Sequence, residues 1–274
     1  MTETSKVAFS GVVLLSLVLT WGGATALAST QTLFYDNFNS YDPNLQLAGQ
    51  GGWFQDPNFT APLMLSTSTP LGPTVAIDGL HRTGTGQYNG SSIALLEHSL
   101  SGPLNSNGTS ISSVDAWAFN AYRSHGAGMF LDSADHLTQI EFYASWYPGH
   151  SPAWTVVLSL NGSAVYQDYI YGSFDELAHL EIVIDGAAGD YYGRLTSANG
   201  VFLTPTHPIT SSEIAQLTQV SLLEDFRDSL YLGADMDNVL VTTTTSSVPE
   251  PSSLALLGVG LLGIARRARG RVVR

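Results

Sequence analysis

The sequence predicts an all-β protein whose body is a two-sheet antiparallel sandwich. From Gln31 to Val241, short apolar or alternating runs follow one another, and Gly, Pro, Asn or Asp residues separate them. Only the segment TSSEIAQLTQ, at positions 210–219, has the pattern of a helix. A dozen or so short strands in about 210 residues are typical of a sandwich. The sequence contains no repeat of 20–50 residues, the feature that would indicate a propeller or a solenoid.

The body elements can be assigned in order along the chain. Alternation in VDAWAFNAY places Trp117 on the face opposite to Ala116. Asn161-Gly162 lies between two strand-like runs and predicts a two-residue hairpin turn. Thr210 and Glu213 form a capping-box pattern ahead of one or two helical turns. The strand-like runs in chain order are QTLFYDNF, SSIALLE, VDAWAFNAY, LTQIEFYASWY, AWTVVLSL, SAVYQDYIY, LEIVID and MDNVLVT.

The N-terminus has the features of a cleavable signal peptide covering residues 1–28. Lys6 precedes an apolar run from Val7 to about Leu19, and the small residues Ala26 and Ala28 occupy the −3 and −1 positions of a cleavage site. The apolar run is short for a membrane anchor, which favours cleavage by signal peptidase. We therefore expect export through the inner membrane.

The C-terminus combines a short apolar segment with a basic cluster. Residues 254–265 are apolar throughout, and as a helix they would cover about 18 Å, less than a hydrocarbon core of about 30 Å. Under the positive-inside rule, basic residues directly after the segment would hold this end in the cytoplasm. They include the membrane-stop residues Arg266, Arg267, Arg269 and Arg271. Such a marginal transmembrane helix fits a temporary sorting tail.

The motif Val248, Pro249, Glu250 and Pro251, followed by this helix and the arginines, resembles the PEP-CTERM sorting domain. The resemblance covers 248–274 and implies recognition by an exosortase, a membrane-embedded protease that cuts at or near the motif. It further implies transient contact with the inner membrane, and then a place at the cell surface, in the envelope or outside the cell. PEP-CTERM proteins occur in bacteria that make exopolysaccharide and biofilm.

The body, residues 29–241, is joined to the tail by a predicted Thr/Ser linker at 242–247. From 29 to 248 there are four arginines and no lysine against 21 acidic residues, a net charge of −17. Binding of a phosphate backbone requires clustered cations, so a nucleic-acid partner is excluded. The chain has no cysteine, so a disulfide framework and a thiolate metal site are excluded as well.

Three segments of the body resemble concanavalin A-like, laminin-G-like jelly rolls. FYDNFNSYDPNLQLAGQGGW resembles their first strand, LYLGADMDNVLVTT resembles their last strand, and LAHLEIVIDGAAGDYYGRL resembles a strand, acidic turn and strand of that fold. The resemblance implies a jelly-roll sandwich over most of residues 33–241, with first and last strands that pair.

Two candidate ligand sites follow from residue types. Trp146, Tyr147 and Trp154 surround a Pro/Gly loop, where exposed rings would stack on the apolar faces of sugars; the alternative is that these rings fill the core. Asp235 and Asp237 share a strand face, and pairing of the terminal strands would bring Asp36 beside them. These oxygens would suit a structural Ca²⁺, and the alternative is a solvated acidic edge.

The search for catalytic patterns gives no catalytic residue. A retaining glycosidase needs two carboxyl groups about 5–5.5 Å apart, and no single strand carries such a pair. The seven histidines show no metal-binding or catalytic spacing. We therefore predict an exported, non-enzymatic sandwich with extracellular polysaccharide as its candidate ligand. The alternatives are a glycoside hydrolase or polysaccharide lyase with a site assembled across strands, and a purely structural matrix protein.

Overall fold

The computed structural model describes residues 29–55, 63–66, 75–78, 92–118, 125–146, 153–171, 176–226 and 234–245. Thr30–Thr245 form one compact unit. The proposed signal peptide, the sorting motif, the helix at 254–265 and the arginine cluster lie outside the described residues. Among the residues that are described, no helix is long and apolar enough to cross a membrane.

Nine strands form one sheet. The strands β13, β12, β11, β6, β16, β4 and β3 lie side by side in that order, β1 pairs with β16, and β14 pairs with β12. Their bounds are β1 Ser29–Asp36, β3 Leu63–Ser66, β4 Val75–Asp78, β6 Thr109–Ala118, β11 Glu176–Asp185, β12 Asp190–Ser197, β13 Gly200–Leu203, β14 His207–Pro208 and β16 Ala234–Thr245.

The other sheet has seven strands in the order β10, β9, β8, β7, β15, β5 and β2. Their bounds are β2 Phe54–Gln55, β5 Ser92–Ser99, β7 His125–Asp132, β8 Gln139–Trp146, β9 Ala153–Leu160, β10 Ser163–Tyr171 and β15 Gln219–Phe226. The pairings with defined register are antiparallel in both sheets. The predicted all-β antiparallel sandwich is therefore confirmed.

The core lies between the inner faces of the two sheets. Val114 and Ile182 contribute from the nine-stranded sheet, and Met129, Phe142 and Leu158 contribute from the seven-stranded sheet; all five are fully buried. Successive side chains of a strand point to opposite faces, so the residues between them in sequence lie on the outer face of their own sheet. This alternation decides which polar residues are available for function.

The local predictions for the turn and the helix are confirmed. Asn161 and Gly162 both have positive φ, 50° and 74°, as a two-residue turn of the I′ type requires. They join β9 to β10. The helix α1, Ser211–Gln216, begins with the predicted capping box, in which Thr210 and Glu213 satisfy each other's backbone N–H groups.

The predicted pairing of the terminal strands is also confirmed, because β1 lies against β16. The predicted boundary between body and linker is wrong. Thr242–Thr245 continue β16, and Thr243 pairs with Ser110 of β6 and is 3% exposed. The hydroxyl of Thr243 accepts from Asn105 N at 3.1 Å, and that of Thr244 accepts from Thr109 N at 2.8 Å. These two β-branched residues favour a strand, and their hydroxyls accept hydrogen bonds from backbone N–H groups at the end of the sheet. The strand β16 therefore continues beyond the apolar part of its sequence.

Candidate functional site

Polar side chains cross the outer face of the nine-stranded sheet from β12 to β16. The hairpin of β11 and β12 supplies the first pair. Asp185 accepts backbone hydrogen bonds from Ala187 and Ala188 at 3.1 Å, which fixes the turn and therefore the register. In this register Glu181 lies opposite Arg194, and the Arg194 guanidinium donates two hydrogen bonds to the Glu181 carboxylate. Such a bidentate pair holds both side chains in one orientation.

The next contacts link β11 to β6. His179 lies two residues before Glu181 on the same face and opposite Asp115 of β6. His179 Nδ1 donates to Asp115 Oδ1 at 2.6 Å, and His179 Nε2 lies 3.7 Å from Glu181 Oε1. The imidazole therefore stands between two carboxylates and completes a row of alternating charge.

A bulge in β16 adds an amide to this row. The register with β6 shifts between Asp237 and Leu240, and Asn238 takes a positive φ of 53°, a conformation that Asn tolerates better than most residues. Asn238 Nδ2 donates to Asp115 Oδ2 at 2.9 Å, and Tyr35 Oη on β1 lies 3.4 Å from Asn238 Oδ1. We call the five residues Arg194, Glu181, His179, Asp115 and Asn238 the polar ladder.

The contacts within the polar ladder fix its charges. The hydrogen bond to Asp115, followed by the interaction with Glu181, raises the pKa of His179 to about 9, so its imidazole is protonated at neutral pH. Burial by itself raises the pKa of Glu181, but the interactions with His179 and Arg194 outweigh it and hold that pKa at about 2. Burial by itself raises the pKa of Asp115, but the hydrogen bonds from His179 and Asn238 outweigh burial and hold that pKa below its ordinary value. Both carboxylates are therefore ionised hydrogen-bond acceptors.

Asp237 differs from these acids. It lies directly opposite Asp115 on the same face, and burial, together with the charges of Asp115 and Asp36, raises its pKa to about 6. A carboxyl with this pKa beside an ionised carboxylate has the protonation pattern of a general acid and its partner. However, Asp237 is only 3% exposed, whereas the side chains of Asp115 and His179 are 32% and 39% exposed. The accessible groups of this face are thus suited to hydrogen bonding rather than proton transfer.

Apolar and aromatic side chains border the polar ladder. Trp117 lies two residues from Asp115 on the same face, is partly buried, and is opposite Leu177 of β11, which is 49% exposed. Tyr35 is 55% exposed on the other side of Asn238. Two residues along a strand span about 7 Å, and neighbouring strands are about 4.8 Å apart. From Arg194 on β12 to Tyr35 on β1 the patch crosses four such spacings and therefore extends about 19 Å, the length of a short oligosaccharide.

A concavity of about 160 Å³ lies at the edge of the sandwich beside β10 and the hairpin of β12 and β13. Ile170, Leu195 and Phe202 supply apolar lining, and Asn199 lies at its rim. The amide of Asn199 donates to both oxygens of Glu176, at 3.0 and 2.9 Å. Because this amide already has an acceptor, the groove offers fewer groups for sugar hydroxyls than the outer face of the nine-stranded sheet.

Of the three residues predicted to bind sugar, the structure describes the side chain of Trp154. Trp154 is 4% exposed and belongs to the core, so its prediction as a sugar platform is wrong; β9 directs this ring toward the other sheet. Trp146 ends β8, where its backbone pairs with that of Trp154. Tyr147 lies outside the described residues. Trp117 and Tyr35, which border the polar ladder, are not among the residues that the sequence analysis predicted to bind sugar. The available sequence signal was alternation at Trp117, which places this ring on the face opposite to the buried Ala116.

The residues predicted to bind calcium lie on neighbouring strands but serve other contacts. Asp36 accepts from Phe38 N and Trp53 Nε1, both at 2.8 Å, and from the hydroxyl of Tyr41. Asp235 and Asp237 share the outer face of β16, as alternation predicts, and are 2% and 3% exposed. The charges of Asp36 and Asp115 reach Asp237 and help to raise its pKa. A Ca²⁺ ion held by Asp36, Asp235 and Asp237 stays a prediction.

Comparison with proteins of known structure first defines the fold. The CBM2 module of the Dit protein from Lactobacillus casei BL23 phage J-1 superposes with a TM-score of 0.56 and 11% identity, over 81% of this chain and 99% of that module. Lectin UEA-II in complex with galactose gives a TM-score of 0.51 and 9% identity, over 80% and 100%. The seed lectin of Lotus tetragonolobus gives 0.50 and 9%, over 80% and 100%. The body is therefore a lectin-like, concanavalin A-like jelly roll.

Comparison with protein families then identifies the tail. The model of the PEP-CTERM protein-sorting motif matches residues 247–270, so the chain carries this motif, as predicted. The match includes Pro249, Glu250 and Pro251 and the whole apolar segment. No curated protein sequence matches the chain. The comparisons thus define a lectin-like body with a PEP-CTERM tail.

Proposed function

We propose that this protein is exported, is sorted by an exosortase through its tail, and binds a neutral extracellular polysaccharide with the outer face of its nine-stranded sheet. The observation that carries the proposal is the polar ladder bordered by Trp117 and Tyr35. Signal peptidase would remove residues 1–28, and the exosortase would process the tail near Pro249–Pro251. The mature protein would then lie in the envelope or the surrounding matrix.

The chemistry of the patch suits sugar hydroxyls and sugar C–H faces. Asp115 is an ionised acceptor, and Arg194 and His179 present donors beside it. The rings of Trp117 and Tyr35 are amphipathic, with an apolar face and a polar edge. Lectin UEA-II, which has the same fold, was solved with galactose, and this agrees with the proposed class of ligand.

The charge of the protein favours a neutral polymer. The body carries a net charge of −17 between residues 29 and 248, so it repels polyanions such as uronate polymers at moderate ionic strength. The positive groups of the polar ladder do not offset this, because Glu181 and Asp115 already pair with Arg194 and His179. We therefore expect weaker binding to an acidic polysaccharide than to a neutral one of the same length.

The test is affinity electrophoresis and titration calorimetry of the full chain in mild detergent, with neutral and acidic polysaccharides from its host. Tyr35→Ala should weaken binding to the neutral polymer by about tenfold, or roughly 1.4 kcal/mol. Tyr169→Ala is the matched control, because Tyr169 is 50% exposed on β10 of the other sheet. Equal affinity of wild type and Tyr35→Ala would contradict the proposed surface.

The same samples distinguish binding from catalysis. A binding protein leaves the polymer intact, so neither reducing ends nor unsaturated products should accumulate. Release of reducing ends that stops in Asp237→Asn would instead support a glycoside hydrolase that uses Asp115 and Asp237. Absence of binding to every host polysaccharide would leave the purely structural matrix protein as the better interpretation.

A further inference from the structure

Glu97, Asp132 and His136 form a cluster on the seven-stranded sheet, away from the polar ladder. Glu97 comes from β5, Asp132 ends β7, and His136 lies in the turn that leads to β8. One side-chain ligand atom from each lies within 4.8 Å of the other two. His136 Nδ1 is 2.7 Å from Asp132 Oδ2 and 3.4 Å from Glu97 Oε1. These separations suit ligand atoms that share one ion.

The two carboxylates of the cluster are deeply buried. Glu97 is 1% exposed and Asp132 is fully buried, whereas the His136 side chain is 39% exposed. Asp132 Oδ2 accepts from His136 and from Gln139, the latter at 3.1 Å, but Asp132 Oδ1 is buried without a hydrogen-bond partner. Buried polar atoms in folded proteins almost always have a partner, and an ion or a water molecule commonly fills that role.

The strand between the two acids supplies more oxygens. In β15, Ser221 pairs with Glu97 of β5, and Gln219 pairs with Asp132 of β7. Directly paired residues of neighbouring strands point to the same face. Ser221 Oγ and Gln219 Oε1 are both buried without a hydrogen-bond partner, and Ser221 is fully buried. Three oxygens without partners, from Asp132, Ser221 and Gln219, therefore stand on the same face at the acid cluster.

We infer that Glu97, Asp132 and His136, together with Ser221 and Gln219, bind one divalent cation such as Mn²⁺ or Ca²⁺. Carboxylate, amide and hydroxyl oxygens are ligands that these ions prefer, and a single imidazole completes the set. The ion would balance two buried negative charges and join β5, β15 and β7 at the turn before β8. The site is independent of the proposed sugar surface, because its residues belong to the other sheet.

The first test is titration of the metal-stripped full chain with MnCl₂ and with CaCl₂, followed by calorimetry and thermal unfolding. We expect one ion to bind per chain and to raise the Tm by several degrees, because the ion binds the folded state selectively. Asp132→Asn should weaken binding by at least roughly tenfold. Asp168→Asn is the matched control, because Asp168 is exposed on β10 of the same sheet, and this variant should bind as the wild type does. No heat and an unchanged Tm with both salts would overturn the inference.

Two further variants keep the test decisive if Asp132→Asn fails to fold. His136→Asn suits the positive φ of 57° at this position. Pulsed EPR of bound Mn²⁺ should show a ¹⁴N coupling from His136 that disappears in this variant. Ser221→Ala should lower Mn²⁺ affinity but leave the metal-free protein equally or more stable, because it removes a buried hydroxyl without a partner. Unchanged Mn²⁺ affinity in both variants, or loss of binding in Asp168→Asn instead, would contradict the site.

Discussion

Two aspartates that face each other across neighbouring strands differ in charge because their neighbours differ. Asp115 receives hydrogen bonds from His179 and Asn238, which stabilise its ionised form. Asp237 receives a backbone hydrogen bond from Asn238 N at 2.7 Å, but burial and the charges of Asp115 and Asp36 favour its protonated form. The surroundings of each residue, rather than its type, therefore decide which acid can accept a hydrogen bond from a ligand.

This difference predicts how Asp237 affects stability. Its folded-state pKa of about 6 exceeds the ordinary value of 3.8, so the folded state binds a proton more tightly than the unfolded state. Stability is then lost as the pH rises from about 4 to about 6, and the loss persists above that range. Asp237→Asn should raise the free energy of unfolding at pH 7.5 by roughly 1–3 kcal/mol. At pH 4 the two proteins should be nearly equal.

Urea unfolding at both pH values, in metal-free buffer, measures this effect. Asp168→Asn removes the same charge at an exposed position on β10 and should change stability by less than about 0.5 kcal/mol. A variant Asp237→Asn that is less stable than the wild type at pH 7.5 would show that ionised Asp237 has a stabilising partner, and the assigned cause of its pKa would be wrong.

At the level of the elements, contacts within one hairpin were accessible to sequence reasoning, whereas contacts between distant strands were not. Glu181 and Arg194 lie equally far from the turn at Asp185–Asp190, so hairpin register alone pairs them. Asp115 is 64 residues from His179 and 123 residues from Asn238. No local pattern reports those pairings, and a search confined to single strands therefore could not find the polar ladder.

The alternation of side chains along a strand does not by itself predict which face of the strand is buried. It correctly separates the two faces of each strand, but it does not say which face meets the other sheet. Trp154 pointed inward and Trp117 outward, although both are tryptophans in strands with well-formed patterns. Which face of a strand points inward is determined when the two sheets pack against each other, because only one combination of faces buries the larger apolar side chains.

The packing between sheets gives a prediction at the same scale. Gly193 of β12 faces the ring of Phe142 on β8, and a Cβ at this glycine would lie 2.3 Å from a ring carbon. Phe142 is fully buried, so its ring has little room to move. Gly193→Ala should therefore destabilise the fold by about 1–3 kcal/mol through overpacking. Chemical unfolding measures the loss.

Gly102→Ala is the matched control for this variant. Its Cβ would lie no closer than 3.7 Å to Leu33, which is ordinary contact, and its φ is not in the left-handed region. We expect this substitution to change the free energy of unfolding by less than about 0.5 kcal/mol or to increase it slightly. If Gly193→Ala proved as mild, the sheets would be able to separate locally, and the close approach of Phe142 would not limit the packing.

At the scale of the whole molecule, the sorting motif and the proposed sugar surface belong to separate parts of the sequence. The PEP-CTERM motif covers residues 247–270, and β16 continues to Thr245, so the described sheet ends two residues before the matched motif. An enzyme that cuts at the motif would therefore leave the sheet intact.

Intact-mass analysis of protein from the envelope and the medium of its host tests this division. We expect a mature form that starts at Ser29 and ends near Pro249–Pro251, because both terminal segments have the features of processing signals. Replacing Pro249 and Pro251 by Ala should prevent the second cut, while the first should still occur. A mass that retains residues 254–274 in the wild type would instead identify the tail as a permanent anchor. The sugar surface would then act at the membrane rather than in the matrix.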